Sequence, residues 1–176
     1  FRSTAAEIEA LCREGIRRMG PDAELYVRPM FFIRKGLGAA RPDPDSTDFI
    51  LSIYDSPLPK WGGFSAVMAP FRRPTPEMAP TDAKAACLYP NGARASAFAA
   101  TQGADNAVMC DAMGHVAEFA SANIWFAKDG KVITPAVNHT FLNGITRQRV
   151  IGLFKDAGVT VEERTVKAPE LDAADE

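Results

Sequence analysis

Histidine and cysteine are scarce in this 176-residue chain, which has two of the first and three of the second. His115 and His139 stand in separate turn-like stretches without ligand companions, and Cys12, Cys87 and Cys110 are scattered without metal-ligand spacing. So sparse and odd a set of cysteines argues against a disulfide framework and for reduced thiols in a cytosolic compartment. Net charge is also small. Twenty Lys and Arg against 22 Asp and Glu leave −2 at pH 7, so bulk electrostatics favour neither a nucleic-acid backbone nor an anionic membrane surface. Any anion site must therefore be local, built from a few oriented donors, and Arg72-Arg73 is too small a cluster to suggest nucleic acid. No apolar run approaches the roughly 18 residues of a membrane helix, and no signal-peptide pattern opens the chain. A Walker loop, a nucleophile elbow and an HExxH pattern are missing as well.

What is present is an ordinary globular balance, 47% apolar and 24% charged, long enough for one sizeable domain or the ends of two smaller ones. Ser3 or Thr4 with Glu7 forms a capping-box pattern, and Ile8, Leu11, Cys12, Ile16 and Met19 follow at helical spacing up to Gly20-Pro21. Residues 24–33 read as a strand with Tyr26, Arg28 and Met30 on one face, and Pro29 argues for an edge position or a bulge. Residues 35–47 read as a loop. Residues 48–54, almost wholly apolar, read as a central strand. The Pro- and Gly-rich stretch Ser56 to Gly63 is the best hinge, which would divide the chain into residues 1–55, a connecting loop over 56–63 and a second domain over 64–176. Beyond it come a strand over 64–71, an irregular segment to Pro80, and a helix over 89–102 with Ala93, Ala97 and Ala100 as its small face. Two hairpins follow, across Asp111-Ala112-Met113-Gly114 and across Lys128-Asp129-Gly130, then a helix over 146–157 and a strand over 159–166. The irregular alternation favours an α+β fold over a doubly wound sheet. The start at Phe1 and the stop at Glu176 read as the cut ends of a longer protein.

Four places could carry chemistry. Lys84 lies among Ala83, Ala85 and Ala86; a desolvated lysine there would attack a carbonyl as a neutral amine, while a lysine snorkelling from a loop is the plainer reading. Tyr89, five residues on, could bring a phenol to the same place or simply pack. Glu118 has apolar or small neighbours on both sides, so its carboxylate is either paired with a cation or turned to solvent at the strand end. Gly144-Ile145-Thr146 opens a helix, whose free N–H donors and positive dipole end form a cup for a phosphate dianion, unless Thr146 is an ordinary N-cap. Tyr26 and Arg28 could together hold a carboxylate, or Arg28 could make a surface salt bridge.

In order and spacing, Lys84, Tyr89, Glu118, Leu142 and Gly144-Ile145-Thr146-Arg147 resemble the signature of the fold-type IV pyridoxal-phosphate enzymes. That class includes branched-chain aminotransferases, D-amino-acid aminotransferases and aminodeoxychorismate lyase. The resemblance implies pyridoxal 5′-phosphate as cofactor, with Lys84 as the lysine of the internal aldimine and the carrier of the proton at the substrate Cα. It further implies that Tyr89 bonds the cofactor's phenolic oxygen, Glu118 keeps the pyridine nitrogen protonated, and Leu142 packs on the ring. Ile145 and Thr146 would hold the phosphate through their backbone N–H groups. Tyr26-Val27-Arg28 resembles the Tyr-x-Arg of the branched-chain type, where the pair would read the carboxylates of substrate and of glutamate. Expected substrates are thus a hydrophobic amino acid and 2-oxoglutarate. The fold implied is the end of a small N-terminal domain joined to most of a large cofactor-binding domain, in a cytoplasmic homodimer. Two departures bear on the pocket: Phe119 to Asn123 replaces a Gly-rich loop after the glutamate, and Lys60-Trp61 occupies the interdomain loop.

Overall fold

The computed structural model describes residues 2–37, 40–58 and 62–176; Lys60-Trp61 lies outside the described residues. The chain forms two compact units, Phe1–Gly62 and Gly63–Glu176.

In the first unit, helix α1 (Ala5–Met19) starts at a capping box. Thr4 Oγ1 accepts from Glu7 N at 3.3 Å, and Glu7 Oε2 accepts from Thr4 N at 2.7 Å. The reciprocal pair satisfies two donors that a helix start leaves open. Strands β1 (Leu25–Ile33) and β4 (Thr47–Asp55) pair antiparallel in unbroken register, Tyr26 opposite Tyr54 and Arg28 opposite Ser52. Helix α1 lies on their other face, with Gly15 against Ile53 and Leu51. Pro29 is tolerated because, among the described residues, β1 has a partner on one side only, an edge without a bulge.

Two expectations need correction here. Among the described residues β4 pairs with β1 alone, so it is not central; its apolar residues serve the face under α1 and a ring-lined outer face rather than a second neighbouring strand. The 35–47 segment is not wholly loop. It holds the short strands β2 (Gly36–Leu37) and β3 (Arg41–Pro42) and a 3₁₀ turn at Pro44–Ser46 whose start is capped by Asp43.

The second unit contains two three-stranded sheets. In the first, ordered β5-β6-β7, β5 (Ala66–Arg72) runs parallel to β6 (Asn106–Cys110), and β6 is antiparallel to β7 (Val116–Phe119). Helix α2 (Tyr89–Thr101) makes the parallel crossover. In the second, ordered β10-β9-β8, β8 (Phe126–Lys128) and β9 (Lys131–Pro135) form a hairpin. Its turn residues Asp129 and Gly130 have φ of 51° and 72°, the mirror-type turn whose twist matches the strands. Helix α3 (Ile145–Asp156) then leads to β10 (Val161–Arg164), parallel to β9, and a short helix α4 (Pro169–Asp172) follows.

Strand β6 is covered on both faces, and its alternation shows how. Val108 and Cys110 join Val116, Ile124, Phe126, Ile133 and Val166 in one core, while Ala107 and Met109 join Ala69, Ala95 and Ala99 in the other. The packed stripe of α2 is therefore Gly92, Ala95 and Ala99; Ala93, Ala97 and Ala100 are exposed. Alanine occupies both phases of this helix, so residue type cannot choose between them. Helix and sheet content are mixed, an α+β fold whose two parallel pairs are each bridged by a helix.

Candidate active site

Glu118 lies on β7, an edge strand that is well covered, and is only 9% exposed. The paired alternative for this carboxylate holds, and the solvent-facing one does not. Its Oε1 is 3.2 Å from the Nε of Arg73, a residue just past the end of β5 and itself 6% exposed. Arg73 is kept in place by its own backbone, N donating to Cys110 O at 2.8 Å, and its Nε also donates to Thr140 O at 3.1 Å. The other oxygen, Oε2, receives one long contact, 3.4 Å from Asn123 Nδ2. Burial pushes the Glu118 carboxyl from its ordinary 4.5 up to about 7, against the opposing pull of Arg73 and then of Lys84. A buried carboxylate with one oxygen engaged and the other barely satisfied has room for one more donor, and favours one that carries positive charge.

The same Asn123 Nδ2 donates to Leu142 O at 3.0 Å, which ties β7's carboxylate to the turn that opens α3. Gly144, not Thr146, is the N-cap of α3; it has an extended backbone and no side chain to offer as an acceptor. The ordinary Thr-cap alternative is thereby overturned, since Thr146 sits inside the first turn. The first N–H groups of an α-helix have no intrahelical acceptor, and here Ile145 and Thr146 present theirs on an exposed surface. An uncapped N-terminus of a 12-residue helix is chemically an anion cup. Leu142, half-buried, stands between this cup and Glu118 through the Asn123 link.

Lys84 is exposed, as the plainer reading of a lysine snorkelling from a loop has it, and not desolvated. The reason is local: it lies in an irregular segment where the flanking Ala83 and Ala86 are also exposed, and alanine side chains are too short to cover a lysine stem. Its charge still reaches Glu118, and its segment is moored by the buried Thr81, whose hydroxyl donates to His139 O in the 138–142 turn. Tyr89, at the start of α2, is 49% exposed and so is not merely packed. Tyr26 and Arg28 share the outer face of the first unit, with Tyr26 stacked on Tyr54 at 5.4 Å. Among the described residues no ion pair engages Arg28. The structure thus brings Glu118, Leu142 and the start of α3 into one cluster, with Lys84 near enough to act on the carboxylate.

Three polar residues of this cluster have no role assigned from the sequence, although Arg147 stands in the signature stretch. Arg73 and Asn123 are the first two. The third is Arg147, 2% exposed, whose Nη1 donates to Asn143 Oδ1 and whose Nη2 donates to Pro135 O and Glu163 Oε2, each at 2.9 Å. The alternation of β5 contains the signal for Arg73: Val67, Ala69 and Phe71 point inward, and the next position in that phase is 73.

The residue set fits a ligand with a phosphate at one end and a protonated ring nitrogen at the other. The chain matches the amino-transferase class IV family model over residues 1–176. It is 30% identical over 181 residues to the branched-chain-amino-acid aminotransferase of Escherichia coli (strain K12), covering 97% of this chain and 57% of that protein. A crystal structure of an aminotransferase from Brucella abortus bound to the co-factor PLP superposes with a TM-score of 0.95 at 45% identity, covering 99% of this chain and 63% of that one. The branched-chain aminotransferase from the thermophilic archaeon Thermoproteus uzoniensis, crystallised with norvaline, gives 0.87 at 32% identity, covering 98% and 59%. The chain spans little more than half the length of these relatives. With a match over its full extent and a site to suit, the chain belongs to the class IV aminotransferase family.

Proposed function

We propose that the full-length protein is a pyridoxal-phosphate-dependent aminotransferase of branched-chain type, passing an amino group between a hydrophobic amino acid and 2-oxoglutarate. The observation that carries this reading is the joined pair of anchors: a buried carboxylate with a spare oxygen, linked through Asn123 to an uncapped helix N-terminus. The named ligands of the Brucella abortus and Thermoproteus uzoniensis relatives support the cofactor and, for the second, a hydrophobic amino acid. The cation of Arg28 on an exposed face is what favours a dicarboxylate as the other partner.

When bound, the cofactor supplies an electron-withdrawing ring that stabilises negative charge at the substrate Cα. The protein's residues orient and protonate. Glu118 would accept from the ring nitrogen and keep it charged. The N–H groups of Ile145 and Thr146, with the Thr146 hydroxyl, would hold the phosphate. The Tyr89 hydroxyl would donate to the phenolic oxygen and Leu142 would cover the ring face. Lys84 would hold the cofactor through Nζ, and its amine is the group that would move the proton at the substrate Cα; its exposed setting would give substrate access. Tyr26 and Arg28 read substrate carboxylates, Arg28 that of the glutamate side chain. In this reading residues 1–55 end a small N-terminal domain, 56–63 connect, and 64–176 form most of the cofactor-binding domain. The protein works as a homodimer in the cytoplasm, a location that its three free cysteines favour.

The test is an absorption spectrum of the full-length protein with pyridoxal phosphate, with Lys84→Ala alongside. A visible band in the parent, bleached by glutamate or leucine and absent from the variant, is the expected result. No band in either sinks the enzyme reading. A band bleached by D-amino acids or by simple amines, but not by leucine, would move the protein to another branch of the family.

A further inference from the structure

Both oxygens of the Glu118 carboxylate are bridged to the same turn. Arg73 Nε stands 3.2 Å from Oε1 and 3.1 Å from Thr140 O, while Asn123 Nδ2 stands 3.4 Å from Oε2 and 3.0 Å from Leu142 O. Thr140 and Leu142 are two residues apart on the strap that runs into α3, and Gly144 N in turn donates to Leu142 O at 2.8 Å. We propose that Arg73 and Asn123 are positioning residues that clasp Glu118 to the 140–144 strap, holding the carboxylate and the mouth of α3 at one fixed separation so that a single ligand can engage both. The inference rests on the cofactor reading above and extends it to two residues.

The physical case has three parts. Arg73 Nε donates to Thr140 O while the same guanidinium is ion-paired with Glu118 Oε1, and Asn123 Nδ2 meets both Glu118 Oε2 and Leu142 O, so each side chain spans the carboxylate and the strap. The clasp is also dry: Arg73, Glu118 and Thr140 are each less than 10% exposed, and bonds in such surroundings are costly to leave unmade. The strap has no slack on the Asn123 side either. A Cβ added at Gly144 would lie 2.6 Å from Asn123 Oδ1, so the asparagine is wedged between carboxylate and helix mouth.

A ligand held at two ends gains over its separate halves only if the two anchors stay at the right distance. Mere neutralisation of Glu118 by Arg73 would require no such link to the strap. The two roles differ in what they do to ligand halves. The full-length protein is therefore titrated calorimetrically with pyridoxine, which engages only the ring anchor, with inorganic phosphate, which engages only the cup, and with pyridoxine 5′-phosphate, which joins them without reacting with Lys84.

In Asn123→Ala the two halves should bind within a few-fold of the parent, and the joined ligand should lose on the order of tenfold or more. Arg73→Lys, which keeps the positive charge beside Glu118 but loses the Nε donor to Thr140 O, should show the same selective loss; it also serves if the alanine variant does not fold. Equal losses for halves and joined ligand, or an unchanged joined ligand in Arg73→Lys, would overturn the clasp while leaving the cofactor reading standing. Failure of the parent to bind pyridoxine 5′-phosphate at all would overturn both.

Discussion

Arg73 and Glu118 form an ion pair of 3.2 Å in which both side chains are nearly lost to solvent. Proximity alone would hold the carboxyl low. Burial wins instead and lifts it to about 7, because the cost of desolvating the charged form exceeds what the charges of Arg73 and Lys84 return. The carboxyl therefore sits at balance near neutral pH, where an added cation at Oε2 tips it fully to the ionised form. That balance suits a group whose partner arrives with a positive charge.

The raised value makes a stability prediction with a definite sign. Between the ordinary 4.5 and about 7 the folded carboxyl keeps a proton that the unfolded chain has released. The unfolded state binds fewer protons there, so Glu118 lowers stability as pH rises through that window and then has no further effect. The full decline is about 3 kcal/mol. Urea midpoints measured without cofactor at about pH 5 and about pH 8 should fall more in the parent than in Glu118→Gln, which has no proton to lose. An equal fall in both proteins would place the pH dependence elsewhere.

Arg147 should resist conservative replacement. Its planar fork meets Asn143 Oδ1, Pro135 O and Glu163 Oε2, each at 2.9 Å, and its Nε is left without a partner among the described residues. Trp125 lies 5.9 Å beneath the guanidinium. A lysine carries the charge but not the fork, so at least one buried acceptor is stranded. Arg147→Lys is expected to cost about 2 kcal/mol, read from urea unfolding. A cost near zero would show that the contacts at this helix start are redundant.

Much of this was legible from residue types because the signals were local. Thr4 with Glu7 starts α1 by satisfying its own donors, and Asp129-Gly130 turns its hairpin by accepting positive φ. Glu118 among apolar neighbours does prove paired. The failures come where a residue's neighbours arrive from far along the chain. Thr140, which accepts from Arg73, is 67 positions beyond it, so only strand alternation could have marked that arginine as inward-facing. Asn123 reads as one residue of an unusual loop, and its value lies in reaching Leu142, 19 positions on.

The first unit offers a separate test of substrate choice. Arg28 stands opposite Ser52 on an exposed face that also carries Tyr26 and Tyr54. If it reads the side-chain carboxylate of glutamate, Arg28→Gln removes a charge-assisted bond worth roughly 1.5–3 kcal/mol. The KM for glutamate should then rise about 10- to 100-fold, with the KM for leucine changed only slightly. Parallel rises for both donors would mean that Arg28 supports the fold of the pocket rather than reading the acid.

Gly144 is expected to be irreplaceable because of Asn123, not because of backbone conformation. Its φ of −56° and ψ of 143° are open to any residue, so strain does not demand glycine. Space does. A Cβ there falls 2.6 Å from Asn123 Oδ1, and that amide cannot yield freely because its Nδ2 is held by Leu142 O and Glu118 Oε2. Gly144→Ala should therefore cost about 1–3 kcal/mol by overpacking. If the clash is with Asn123, removing that side chain relieves it, and Gly144→Ala combined with Asn123→Ala should be scarcely less stable than Asn123→Ala alone. A double-mutant cycle by urea unfolding reads this directly as a favourable coupling. Additive costs would free Asn123 from its wedge against the helix mouth, since the other side chain near that point, Arg147 Cβ at 3.8 Å, is at ordinary contact distance.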